Sequence, residues 1–210
     1  MKQINITRDN NGKVTFQEVS IDATENVFFT NLDTQQPHWP YLNPNAASPD
    51  FCDNQIGPAP SSNSSQCTVP TPKDLNPPNN KVTYKCKLHP NDPNEQGTIN
   101  VFAQLAAGTT TLPQVSVNTP LPAPGPVVVV GGKSPYTISG QQFQVTDSAG
   151  TVIQSGSGIG PGLQLSATTN NKGISVTGTP TVAGTYKFTF TVDDAMGKNL
   201  QLVQYSMKVV

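Results

Sequence analysis

Tyr186, Phe188, Phe190 and Val192 alternate with Lys187, Thr189 and Thr191, a period of two that puts every large apolar side chain of the stretch on one face of an extended strand. On a helix the same residues would be scattered around the circumference, so the stretch is predicted as a strand with one face in a core. Strand-length apolar runs recur at Val127 to Val130, Phe143 to Val145, Leu163 to Leu165, Ile174 to Val176 and Leu202 to Val209, divided by Gly-rich turns. That spacing predicts a small antiparallel sandwich over residues 127–210. Towards the start, Ile4 to Thr7, Val14 with Phe16, Val19 with Ile21, and Val27 to Phe29 show strand character, and none carries a helical stripe. Asn11-Gly12 between the first two is predicted as a hairpin turn using positive φ angles. The whole chain is expected to be all-β.

With 210 residues there is material for two cores. Residues 1–107 are expected to form the first domain, with a long loop insertion at about 40–80 where Pro, Asn and Ser dominate. The Pro/Thr-rich stretch 108–126 is expected to be a semi-rigid linker or edge strand, and 127–210 the second domain. Charged residues make up only 12% of the chain and the net charge is -1, so no basic face exists to neutralise a nucleic-acid backbone. No apolar run approaches the ~18 residues of a membrane span.

Three cysteines leave one unpaired. Cys52 and Cys67 share the long loop and are expected to close a disulfide ring, which leaves Cys86 as the free thiol. A structural disulfide implies an oxidising compartment, where a free thiol is usually buried or metal-bound. The start of the chain lacks the apolar core of a signal peptide, so the expectation is an extracytoplasmic protein (periplasmic, secreted or at the cell surface) whose leader is absent from this chain.

Cys86 and His89 stand three positions apart on a turn between strand-like runs, where both side chains can face one soft metal ion. His38 is the other of the two histidines in the chain. Two imidazoles and a thiolate in a roughly trigonal plane make the ligand set of blue-copper electron-transfer sites. Zinc, with Glu95 as a fourth ligand, is the alternative for the same residues.

Two stretches resemble the cupredoxins. Val27-Phe28-Phe29-Thr30-Asn31-Leu32-Asp33 followed by Pro37-His38 is similar to the strand and loop that deliver the first histidine. Tyr84-x-Cys86-x-x-His89 followed by Gly97-Thr98-Ile99-Asn100-Val101 is similar to the loop that delivers the remaining ligands. The resemblance covers residues 4 to 104. It implies a Greek-key β-sandwich with a type 1 copper ion cycling between Cu2+ and Cu+, held by His38, Cys86 and His89.

Many members of the family place Met in the axial position shortly before the glycine, but Met1, Met196 and Met207 all lie outside this loop. By position the axial slot falls on Glu95; by chemistry the amide oxygen of Gln96 is the better-attested ligand, and the choice leans to Gln96. Either oxygen would favour Cu(II) and lower the potential relative to Met-ligated relatives. Trp39 follows His38 where the family often has Asn.

The second domain resembles the Ig-like modules of bacterial surface proteins through Gly160-Pro161-Gly162, Gly173 to Pro180, Ala183-Gly184-Thr185-Tyr186 and Val192 to Gly197. Asp193 and Asp194 are expected as turn acids, with calcium as the minor alternative.

Enzyme chemistry finds little support. A Ser-His-Asp or Cys-His mechanism needs a histidine base, and both histidines are accounted for by the metal. The function expected is therefore single-electron transfer to a protein redox partner, approaching over a rim of Trp39, Tyr41 and Pro-rich flanks, with the Ig-like module as a spacer or docking unit. The competing expectations are a cell-surface structural or adhesive protein that uses the same scaffold with structural metal or none, and a copper store or delivery protein.

Overall fold

A computed structural model describes residues 1–42, 51–52, 54–60, 62–64, 66–75, 77, 79–168 and 172–210, with the backbone alone at 202. Part of the expected insertion at 40–80 thus lies outside the described residues. The described chain is all-β and divides into two compact units, Met1–Phe102 and Ala103–Val210. No helix among the described residues is long and apolar enough to cross a membrane.

The first unit holds β1 (Lys2–Arg8), β2 (Val14–Phe16), β3 (Val19–Asp22), β4 (Val27–Asn31), β5 (Pro40–Leu42), β6 (Ser62–Asn63), β7 (Lys81–Cys86) and β8 (Gln96–Phe102). They form two four-stranded sheets ordered β2-β1-β4-β6 and β3-β8-β7-β5. β1 runs parallel to β4 and β3 parallel to β8, while β1–β2 and β7–β8 are antiparallel. The chain changes sheets at every step from β2 through to β7. Ile4, Ile6, Phe16 and Phe29 of one sheet meet Ile21, Val82, Tyr84, Cys86, Ile99 and Val101 of the other in a single apolar core. The turn after β1 differs from expectation: only Gly12, at φ 81°, takes a positive angle. The Asp9 carboxylate accepts the backbone N–H groups of Asn11 and Lys13, closing a longer loop that spares Asn11 that conformation.

The second unit holds β9 (Ala106–Ala107), β10 (Val127–Val130), β11 (Thr137–Thr146), β12 (Val152–Ser157), β13 (Leu163–Ala167), β14 (Gly173–Gly178), β15 (Gly184–Asp193) and β16 (Asn199–Val209). Its two sheets are ordered β13-β14-β10-β9 and β12-β11-β15-β16. Tyr186, Phe188, Phe190 and Val192 are all buried, as the alternation requires. Phe188 and Phe190 stack on Tyr205 at 5.4 and 5.0 Å, and the Tyr205 hydroxyl donates to the Val128 carbonyl of the facing sheet. Asp194 accepts the backbone N–H groups of Lys133, Met196 and Lys198, the work of a turn acid.

The boundary expected at 107 falls instead after Phe102, and of the two expectations for 108–126 the edge strand is the one that residues 111–117 follow. The first unit ends at Phe102, and residues 103–126 belong to the second. Leu112, Val115 and Val117 donate to the carbonyls of Ser206, Lys208 and Val210, so this stretch runs parallel beside β16. Pro113 falls where no donor is needed. Leu112 and Leu121 are buried in the second core, which explains why a Pro-rich stretch is not a free spacer.

Candidate metal centre

β7 turns Val82, Tyr84 and Cys86 inward by its period of two, and the strand ends with the Cys86 thiol facing the end of the sandwich. The Cys86 N–H donates to the Glu95 carbonyl, closing the loop that carries His89; Asp92 N–H bonds His89 O within it. His38 is placed by a two-way backbone bridge to Ile56, on the loop bearing the Cys52–Cys67 disulfide. Cys86 is the free cysteine.

These elements bring one donor atom each from His38, Cys86, His89 and Glu95 within 4.8 Å of one another. His38 Nδ1 lies 3.8 Å from Cys86 Sγ and 3.2 Å from Glu95 Oε2. His89 Nδ1 lies 3.7 Å from the same sulfur and 2.8 Å from the same carboxylate oxygen. The side chain of His38 is 0% exposed and that of Glu95 2%, whereas His89 is 35% exposed, so His89 is the donor of these three that meets solvent.

The structure separates Glu95 from Gln96. Glu95 precedes β8 and turns in, while Gln96 opens β8, pairs with Lys85 and is exposed. The leaning towards Gln96 is thereby corrected: successive residues at a strand entrance point to opposite faces, and the inward phase belongs to Glu95. Gly97 completes the arrangement, because a Cβ there would sit 2.2 Å from the Tyr84 hydroxyl oxygen; the tyrosine ring lies over the glycine of the facing strand.

Further residues, not legible in the sequence, surround the four donors. Trp39 N–H donates to Cys86 Sγ at 3.4 Å, and its indole N–H donates to the Cys52 carbonyl at 2.8 Å. The backbone of Trp39 thus supplies the bond to sulfur whatever its side chain. Lys87 Nζ stands 4.2 Å above the indole ring. Gln36 Nε2 donates to Glu95 Oε1 at 2.9 Å, which fixes the carboxylate with Oε2 towards the histidines. His38 Nε2 meets Asp33 Oδ2 at 3.0 Å, and Arg8 grips both oxygens of Asp33. In the sequence Asp33 is one more acid in a turn-rich stretch and Arg8 one more surface cation. Only a carboxylate close before the histidine hinted at the pair.

Burial pushes the Cys86 thiol up, and the nearby Glu95 adds to this; N–H groups of Trp39, Leu88 and His89 work in the opposite direction. Burial would also raise the Asp33 carboxyl, but hydrogen bonds from Arg8, the Gln35 backbone and His38, with the Arg8 charge, outweigh it and bring the group down to about 2. Arg8 is held above its ordinary value chiefly by the same hydrogen bond.

No protein-family model matches the chain, and no curated protein does. Among solved structures, the sialic acid binding region of the Streptococcus sanguinis SK1 adhesin bound to 3'sLn aligns with 99% of this chain and 78% of its own length, at 12% identity and a TM-score of 0.28.

Proposed function

We propose that the first unit is an extracytoplasmic copper protein of the cupredoxin kind that carries single electrons between protein partners. The observation that supports this is the convergence of the His38, Cys86, His89 and Glu95 donors within 4.8 Å in a preformed cluster that is buried except at His89. The donor chemistry fits copper: a soft thiolate suits Cu(I), two imidazoles accept both oxidation states, and a carboxylate oxygen favours Cu(II). When bound, copper would supply reversible one-electron exchange.

The chain's own residues do the rest. Backbone bridging through Ile56, the Trp39 N–H on the sulfur and Gln36 on the carboxylate hold the donors in place, so that little has to rearrange when charge changes. The core below Cys86, with Tyr84, Phe16 and Phe29, excludes water from the inner side. His89, the exposed donor, offers the contact edge to a redox partner. The buried disulfide supports an oxidising compartment. The second unit, Ig-like by sequence, serves as a spacer or docking module.

Copper loading of the full chain tests the reading. An intense visible thiolate-to-copper band that disappears on reduction and in Cys86→Ser is expected. Absence of the band in the wild-type protein rejects electron transfer. Silent zinc binding in its place would indicate a structural metal site, and rapid metal exchange without redox cycling would indicate storage or delivery.

A further inference from the structure

We propose that Asp33 and Arg8 are positioning residues for the centre: their buried ion pair fixes which nitrogen of His38 faces Cys86, and its two charges act on the centre in opposite senses. The second half of this statement rests on the copper reading above.

Asp33 is fully buried, and the Arg8 side chain is only 15% exposed. Arg8 Nε lies 3.0 Å from both Asp33 oxygens and Nη2 lies 2.8 Å from Oδ2, the oxygen that also faces His38 Nε2 at 3.0 Å. The aspartate is itself fixed. Its N–H donates to Asn31 Oδ1, its Oδ1 accepts from Gln35 N–H, and the Asn31 amide is anchored on the carbonyls of Gln36 and Gly57.

An ionised carboxylate only accepts hydrogen bonds. Nε2 of His38 must therefore carry the hydrogen, and the ring is held with Nδ1 towards Glu95 Oε2 at 3.2 Å and Cys86 Sγ at 3.8 Å, where its lone pair would be the one a bound metal takes. A carboxylate on the far nitrogen makes the imidazole a stronger electron donor, which favours the more highly charged metal state. Arg8 withdraws part of that effect, and it does so through the same oxygen. Asp33 thus should lower the reduction potential and Arg8 raise it, although the two are held in one ion pair.

Equilibrium redox titration of the copper-loaded full chain separates these roles. Asp33→Asn removes the charge and keeps one acceptor oxygen where the carboxylate uses two, Oδ2 for Nε2 and Oδ1 for the Gln35 N–H; with that oxygen on Nε2 it is expected to change the Cu(II)-to-Cu(I) affinity ratio about tenfold in favour of Cu(I), a rise of about 59 mV for a one-electron couple. Arg8→Gln is expected to move the potential down, with Arg8→Lys restoring most of it. Should Arg8→Gln alone not fold, adding it to Asp33→Asn leaves no unpaired buried carboxylate and should still lower the potential relative to Asp33→Asn. Shifts of one sign from both residues, or none in folded protein, overturn the proposal.

Nitrogen-15 NMR of the metal-free chain gives an independent reading. A His38 Nε2–H protected from solvent exchange in the wild type and lost in Asp33→Ala is expected; its absence from the wild type overturns the proposal as well. Failure of the wild type to bind copper would reject the electron-transfer reading and leave this NMR result to decide the role of Asp33.

Discussion

The backbone N–H of Trp39 points at the sulfur of Cys86 from 3.4 Å, so the residue after one histidine donor is bonded to the thiol donor 47 positions later. The same tryptophan reaches the disulfide loop through its indole, 2.8 Å from the Cys52 carbonyl. Trp39→Phe keeps the first bond and loses the second. Urea unfolding should show a loss of about 1 kcal/mol, while the copper-loaded visible spectrum stays close to that of the wild type.

The disulfide joins residues 15 apart in sequence and closes the loop that bridges His38 through Ile56. The double variant Cys52→Ser, Cys67→Ser should lose about 3 kcal/mol of stability by the chain-entropy argument. Metal affinity should fall too, because His38 loses its fixed neighbour. Calorimetry and competitive metal titration on the same samples check both outcomes.

Glu95 and Gln96 are adjacent in sequence yet face opposite ways. Glu95→Ala should weaken zinc or copper binding by more than about tenfold, and Gln96→Ala should leave it unchanged. Equal effects from the two variants would mean that the inward phase at the entrance to β8 is misassigned.

At Gly97 a methyl group would collide with the ring of Tyr84. Gly97→Ala should therefore destabilise the first unit by about 1–3 kcal/mol, read from its urea midpoint. Tyr84→Phe should go the other way or be neutral, since the buried hydroxyl has no hydrogen-bond partner among the described residues.

Asp33 carries a pH dependence. Its carboxyl falls from the usual value of 3.8 to about 2 on folding, so it contributes stability above pH 3.8, worth about 2 kcal/mol, that is lost as the pH falls through 2. Asp33→Asn should flatten the stability profile between about pH 4 and 2. Acid titration followed by circular dichroism measures the difference between the two proteins.

The strands were legible because alternation is a local signal: Tyr186 to Val192 or Val82 to Cys86 shows its buried face without reference to any partner. His38, Cys86 and His89 could be picked out because histidine and free cysteine are scarce here. The phase at Glu95 was not legible, since it depends on where β8 begins. Arg8 and Asp33 stand 25 positions apart and meet only because β1 pairs with β4. The stretch 108–126 stayed open between spacer and edge strand for a related reason: its prolines advertise a spacer, while Leu112 and Leu121 are too few to reveal a core-facing edge without β16 beside them.

That edge has a mechanical consequence. Residues 111–115 follow β9 near the start of the second unit and run parallel to β16 at its other end. Tension applied between the two ends of this unit would load the bonds from Leu112, Val115 and Val117 in shear, so that they must rupture together rather than peel apart one at a time.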